Sequence, residues 1–305
     1  MTAVTDPITA LPDTLVLGAG GTLGEAWTRG VLSGLSAATD LDFRECEYVL
    51  GTSAGSIVAA TLVSGRELEA GDRAAREWGA AAERNSPLSD LGRAALRAGT
   101  LAASPLAPLA FAGLAPAGRL ARSAALAATP RPRRRLDRLA GYLDGLGADF
   151  DGRLRIAAVD RRRGARVLFG APGAPDASVR DAVLASCAVP WLFAAVRIAG
   201  REYVDGGVWS PVNLDAAPGG RGAHVLCLAP TAGGGPLRPV TAAALVAEEM
   251  ALVARGMRVR VVVPDAESVS AIGGRFMDAG RIEPVLDAGF AQGWRLGRRT
   301  STAAG

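Results

Sequence analysis

Tyr48-Val49-Leu50-Gly51-Thr52-Ser53-Ala54-Gly55-Ser56-Ile57-Val58-Ala59-Ala60 reads as a short apolar strand, a serine between glycines and an apolar helix. Gly-x-Ser-x-Gly in that setting has a mechanical reason. The serine sits on a sharp, strained turn that pushes its Oγ out at the end of a sheet, and flanking glycines remove Cβ atoms that would clash there. The helix behind the turn offers free N–H groups and the positive end of its dipole to developing negative charge. In a chain this rich in Gly, Ser and Ala the pentad alone is weak, and an ordinary strand–helix turn is the competing reading. The Tyr-Val-Leu strand before it and the Ile57–Ala60 helix after it favour the nucleophile turn.

Upstream, residues 14–18 read as a buried strand running into Gly18-Ala19-Gly20-Gly21-Thr22-Leu23-Gly24, followed by a helix from Leu23 to Leu35. Strand, glycine loop, helix, strand, sharp turn and helix is the rhythm of a parallel sheet with covering helices. The expected fold is therefore a three-layer α/β/α domain with a mostly parallel central sheet. Downstream, residues 66–84 read as an amphipathic helix with Trp78 on its apolar side, and Asp137–Leu146 as another helix. Residues 87–130, rich in Ala, Leu and Pro, read as a helical insertion or lid. Leu154–Val159 and Arg166–Phe169 form strands joined by the turn Arg161–Gly164. Ser178–Cys187 reads as a short helix stopped by Pro190. Ala223–Leu228 and Val259–Val263 read as strands flanking a helix over Ala242–Arg255, and a last helix ends near Arg298. No repeat or dividing linker is evident, so residues 1–305 read as one domain.

The chain has 305 residues, 49% hydrophobic and 21% charged, which is a globular composition. All 34 basic residues are arginine, and the net charge is +4. Two clusters carry weight, Arg131-Pro132-Arg133-Arg134-Arg135 and Arg161-Arg162-Arg163. They read as a solvated face and a charged turn, or as contact with an anionic lipid surface, and no nucleic-acid partner is expected. The three cysteines, Cys46, Cys187 and Cys227, lack metal or redox spacing and read as buried thiols in a cytoplasmic setting. No basic and apolar signal segment opens the chain. The uncharged stretch from Ala98 to Gly118 is broken by Pro105, Pro108 and Pro116, which argues against a membrane span.

The glycine loop admits two functions. As a dinucleotide site it would hold a pyrophosphate at the helix start, with Asp40 or Asp42 on a ribose, although Leu23 stands where the third glycine belongs. As an oxyanion hole its amides would face a tetrahedral intermediate. Only the second reading expects an exposed serine turn and a partner base. For that base the chain offers one histidine, His224, inside the strand-like Ala223–Leu228. It also offers Asp205, where a strand ends in Val204-Asp205-Gly206-Gly207. An α/β-hydrolase triad of Ser53, Asp205 and His224 has the right chain order.

Four segments in order resemble the patatin-like phospholipase family. They are the loop at residues 18–24 with Gly30-Val31-Leu32, then Gly51–Gly55, then Ala185-Ser186-Cys187-Ala188-Val189-Pro190, and then Tyr203–Gly207 with Pro211 beyond. The resemblance implies a patatin-like fold and a Ser–Asp dyad without histidine. Ser53 would be the nucleophile, Asp205 the base, and Gly20, Gly21 and Thr22 the oxyanion hole. It implies lipid acyl esters as substrates, by a chemistry that needs no cofactor or metal, while peripheral contact with a membrane is the second reading of the arginine clusters. Leu23 stands where the family's oxyanion segment usually has an Arg, and Trp27 near where it has a His.

Overall fold

The computed structural model describes residues 6–68, 118–234, 238–273 and 276–298. The helix expected over 66–84 lies outside them except for residues 66–68, which are not helical. Residues 87–117 of the expected insertion, and with them nearly all of the uncharged stretch, also lie outside. Strand β1 is Thr14–Leu17, helix α1 Gly21–Thr39, β2 Tyr48–Thr52 and α2 Ala54–Val63. After these come α3 Gly118–Ala127, α4 Asp137–Leu146, β3 Leu154–Asp160, β4 Ala165–Phe169 and α5 Val179–Ser186. β5 Val196–Ile198, β6 Arg201–Asp205, β7 His224–Leu228, α6 Arg238–Ala254, β8 Arg258–Val262, α7 Ala266–Ile272 and α8 Ile282–Gly297 complete the chain.

The strands form one eight-stranded sheet in the order β5-β6-β3-β2-β1-β7-β8, with β4 also paired to β3. β3, β2, β1, β7 and β8 are parallel to one another, β4 and β6 pair antiparallel with the two edges of β3, and β5 pairs antiparallel with β6. Period-two alternation sorts the side chains into layers. Leu15 and Leu17 of β1 and Leu226 and Leu228 of β7 pack with Leu32 and Leu35 of α1, Ile57 of α2 and Val285 of α8. Val16, Leu50, Val225 and Cys227 point the other way, onto Leu245 and Leu252 of α6 and onto Val212 and Leu214. Both faces of the central strands are covered, which is why they read as unbroken apolar runs.

β3 places the site. Its residues Val159 and Ala158 meet Arg166 and Val167 of β4 on one edge. On the opposite edge, Leu154 to Ala157 pair with β2, and Ala158 to Asp160 pair with β6. β2 and β6 therefore lie end to end on one edge of β3, running in opposite directions. Thr52 is registered with Ala157, and Asp205 with Ala158. The last residue of each strand thus faces the last residue of the other.

Local signals explain most boundaries. Ser178 caps α5 by accepting from the Asp181 amide, and Asp265 caps α7 through Ser268. α1 starts at Gly21 and runs to Thr39, longer than its apolar pattern, and closes where Asp40 turns left-handed at φ 58°. No helix among the described residues is long and apolar enough to cross a membrane.

Candidate active site

Ser53 follows β2 at φ 51° and ψ −123°, a left-handed conformation that costs a non-glycine residue about 1–3 kcal/mol. Three contacts hold the strain. The Ser53 amide donates to Ser186 Oγ at 2.8 Å, and Ser186 Oγ donates to Ala157 O of β3 at 2.7 Å. Ser56 Oγ donates to Ser53 O at 2.6 Å. Gly55 lets α2 press onto the end of β1, since a Cβ there would overlap Leu17 O. That contact seats the serine turn beside the glycine loop.

Ser53 Oγ donates to Asp205 Oδ2 at 2.8 Å, across 152 positions of sequence. Ser53 keeps 9% of its surface exposed and Asp205 2%. The other carboxylate oxygen of Asp205 accepts from the Gly207 amide at 2.7 Å. Burial pushes the Asp205 carboxyl up to about 7, partly offset by the hydrogen bonds from Gly207 and Ser53. A carboxylate of ordinary basicity is a poor acceptor for a serine proton, and burial makes this one stronger.

The glycine loop lies on the same end of the sheet. Gly18 N is bonded to Leu228 O at 2.9 Å, and Ala19 N to Pro211 O at 2.7 Å. Leu23 N is bonded to Phe276 O at 2.9 Å. Between them the amides of Gly20, Gly21 and Thr22 meet no acceptor among the described residues, as expected for the first turn of a helix. Leu23 and Trp27 are both fully buried, and the Trp27 indole donates to Gln292 Oε1 at 2.9 Å. These two departures from the family pattern are core residues, with Trp27 held against α8. Arg29 is buried as well, bonded to Glu25 at 3.0 Å and to the Tyr142 hydroxyl at 3.2 Å.

Two further side chains belong to the constellation. Ser186 lies in the quoted Ala-Ser-x-Ala-x-Pro segment, which gave it no role. Asn213 carries no local signal at all. It is fully buried and left-handed, at φ 58°. Its Nδ2 donates to Thr52 Oγ1 at 3.1 Å, to Ser210 O at 2.8 Å and to Gly206 O at 3.4 Å. One amide thus ties the residue before the serine to the residue after the aspartate.

His224 does not join them. It begins β7, at the end of the sheet away from Ser53, is exposed, and faces Arg258 Nη1 at 3.2 Å. Asp40 and Asp42 sit past the far end of α1, about 28 Å from the glycine loop by helix rise. Asp42 is engaged by Arg44 at 2.8 Å, so the ribose contact of a dinucleotide site is not assembled. The cysteines are all free and buried.

The fold defines a class, an α/β protein with a mostly parallel sheet that carries its glycine loop and serine turn at the strand ends. The particular family follows from the sequence match: residues 15–218 fit the model described as patatin-like phospholipase, and the chain belongs to that family of lipid acyl hydrolases. Among solved structures, VipD from Legionella pneumophila aligns at 14% identity over 94% of this chain and 67% of its own, with a TM-score of 0.40. No curated protein matches the chain.

Proposed function

We propose that the chain hydrolyses lipid acyl esters with a Ser53–Asp205 dyad, at a membrane surface that it meets peripherally. The observation that carries this reading is the 2.8 Å hydrogen bond between Ser53 Oγ and Asp205 Oδ2 at the point where β2 and β6 meet. Ser53 Oγ attacks the ester carbonyl carbon while its proton passes to Asp205 Oδ2. The oxyanion forms against the amides of Gly20, Gly21 and Thr22. Collapse breaks the acyl C–O bond, and Asp205 returns the proton to the departing alkoxide, leaving the acyl group on Ser53. A water then gives its proton to Asp205 as its oxygen attacks the acyl carbon, the bond to Ser53 Oγ breaks, and Asp205 returns the proton to Ser53 Oγ, releasing the fatty acid and the free serine. We read the whole chain as one patatin-like unit, because β7 and β8 beyond the family match extend the sheet directly from β1.

The test uses a short-chain p-nitrophenyl ester and a fluorophosphonate probe. Ser53→Ala should lose both turnover and labelling, and Asp205→Asn should lower turnover by at least about 10³-fold with the fold intact. His224→Ala should retain normal activity. Turnover surviving in Ser53→Ala, or lost in His224→Ala, rejects the dyad.

A further inference from the structure

The hairpin β3–β4 extends past the dyad. Ala157 and Ala158 stand level with Thr52 and Asp205, and the tip at Arg161–Gly164 lies beyond them on the same end of the sheet. α3 is laid across this tip. Ser123 Oγ donates to Arg162 O at 2.6 Å, and Arg122 Nη1 donates to Gly164 O at 3.1 Å. Arg161 turns inward to Leu126 O and Thr129 O at 3.3 and 3.2 Å. The chain after α3 is tied to the segment before β5, because Ala194 N donates to Arg134 O at 2.7 Å and the Arg134 guanidinium lies over Phe193. Both arginine clusters of the sequence are thereby gathered on one face. Arg131, Arg133, Arg162 and Arg163 are exposed there.

The acidic groups of this face are already committed. Asp160 is buried and accepts from the Arg162 and Arg163 amides at 3.0 and 2.9 Å. Glu202 faces Arg161 and Arg197 at 3.6 and 3.5 Å, and Asp137 faces Arg135 at 3.6 Å. Among the described residues no carboxylate pairs with Arg131, Arg133, Arg162 or Arg163. Beside them Leu120 on α3 is 87% exposed, among the most exposed large apolar side chains described. Trp191 and Trp209 pack beneath α3 against Val204 and Val208, next to Asp205.

We infer that this face docks on an anionic phospholipid bilayer, with the four arginines on headgroup phosphates and carboxylates and Leu120 entering the interface. The docked surface is the one adjoining the aspartate side of the dyad, so the inference rests on the proposed hydrolase reading for its purpose but not for its binding. Each arginine near an anionic surface contributes about 1 kcal/mol, or roughly fivefold in partitioning. An unpaired guanidinium cluster with an apolar side chain at its rim fits a charged interface better than bulk water.

The test is sedimentation with vesicles of phosphatidylcholine alone or mixed with phosphatidylserine. The chain should bind the mixed vesicles at least about 100-fold more strongly than the neutral ones, and added salt should release it. Arg131, Arg133, Arg162 and Arg163 changed together to Gln should remove that preference while turnover of the soluble p-nitrophenyl ester stays normal. Leu120→Ser should weaken binding while keeping its dependence on phosphatidylserine. Ser53→Ala should bind vesicles like the parent, so a failed dyad leaves the binding result readable. Equal binding to both vesicle types, an unchanged preference in the arginine variant, or retention on immobilised RNA in place of vesicles overturns the assignment.

Discussion

At the scale of single residues, the proposed dyad depends on a carboxyl that burial has made basic. Asp205 must be ionised to accept a proton, and its carboxyl is pushed up to about 7. The value of kcat/KM for the soluble ester should therefore rise with pH through about 7 and level off above it. A carboxylate of ordinary pKa would give a profile already flat above about pH 5. Measured from about pH 5 to about pH 9, a flat profile would remove the raised basicity assigned to Asp205. Asn213 sets the geometry that Asp205 needs. Asn213→Ala leaves Thr52 Oγ1, Ser210 O and Gly206 O without this donor in the interior. The expected cost is about 1–3 kcal/mol of stability. Because Thr52 and Gly206 flank the proposed dyad, kcat should fall roughly 10²-fold with KM little changed. A fall confined to the melting temperature would make Asn213 structural only. Nothing in the sequence marks this residue, because its role exists only where the loop after Asp205 meets the distant Thr52. Ser53 and Asp205 were legible because each carries its glycines beside it.

At the scale of elements, α1 and α8 show what glycine does in helix packing. A Cβ at Gly30 would overlap Leu286 O, one at Gly34 would overlap Phe290 O, and one at Gly293 would overlap Val31 O. Glycines on both helices bring two backbones into direct contact, closer than the usual 8–10 Å spacing of helix axes. Gly293→Ala should force α8 off α1 and destabilise the chain by about 1–3 kcal/mol or more, read as a lower urea midpoint. The glycine loop at the start of α1 should then lose activity before the chain unfolds globally. An unchanged midpoint would mean that α8 shifts freely. Strands and long helices were readable from their period, and the β3–β4 hairpin from its Arg161–Gly164 turn. The seven-residue α7 has too few turns to show a helical period, and the three-residue β5 too few for strand alternation. The end-to-end seating of β2 and β6 on one edge of β3 is a matter of register, which local patterns do not encode.

At the scale of the whole molecule, two sets of carboxyl groups pull stability in opposite directions with pH. Asp42 is held below its ordinary range by its hydrogen bond from Arg44. Burial raises Asp151 and Asp265, but hydrogen bonds from Arg153 to the first and from Ser268 and Arg295 to the second outweigh it and leave both low. What these three contribute is present above the unfolded carboxylate pKa and lost as pH falls below about 4. Asp205 and Glu248 behave oppositely, each pushed up to about 7, first of all by burial. Their folded forms hold the proton more tightly than the unfolded chain does. The stability they contribute is complete below about pH 4 and is lost as pH rises towards about 7. For Asp205 the loss is on the order of 4 kcal/mol. The two windows meet near about pH 4–5, so the melting temperature should peak in mild acid and fall towards neutrality, where the proposed base has to be ionised. Asp205→Asn and Glu248→Gln should each raise the melting temperature at about pH 8 and flatten its decline, while leaving the acid limb in place. Glu248 accepts from the Leu214 amide at 2.7 Å, next to Asn213, so only the first of these variants removes a member of the proposed dyad. If thermal melts show stability rising from about pH 5 to about pH 8 in the parent chain, the buried carboxyls are ionised at no cost, and the basicity assigned to Asp205 has no physical source.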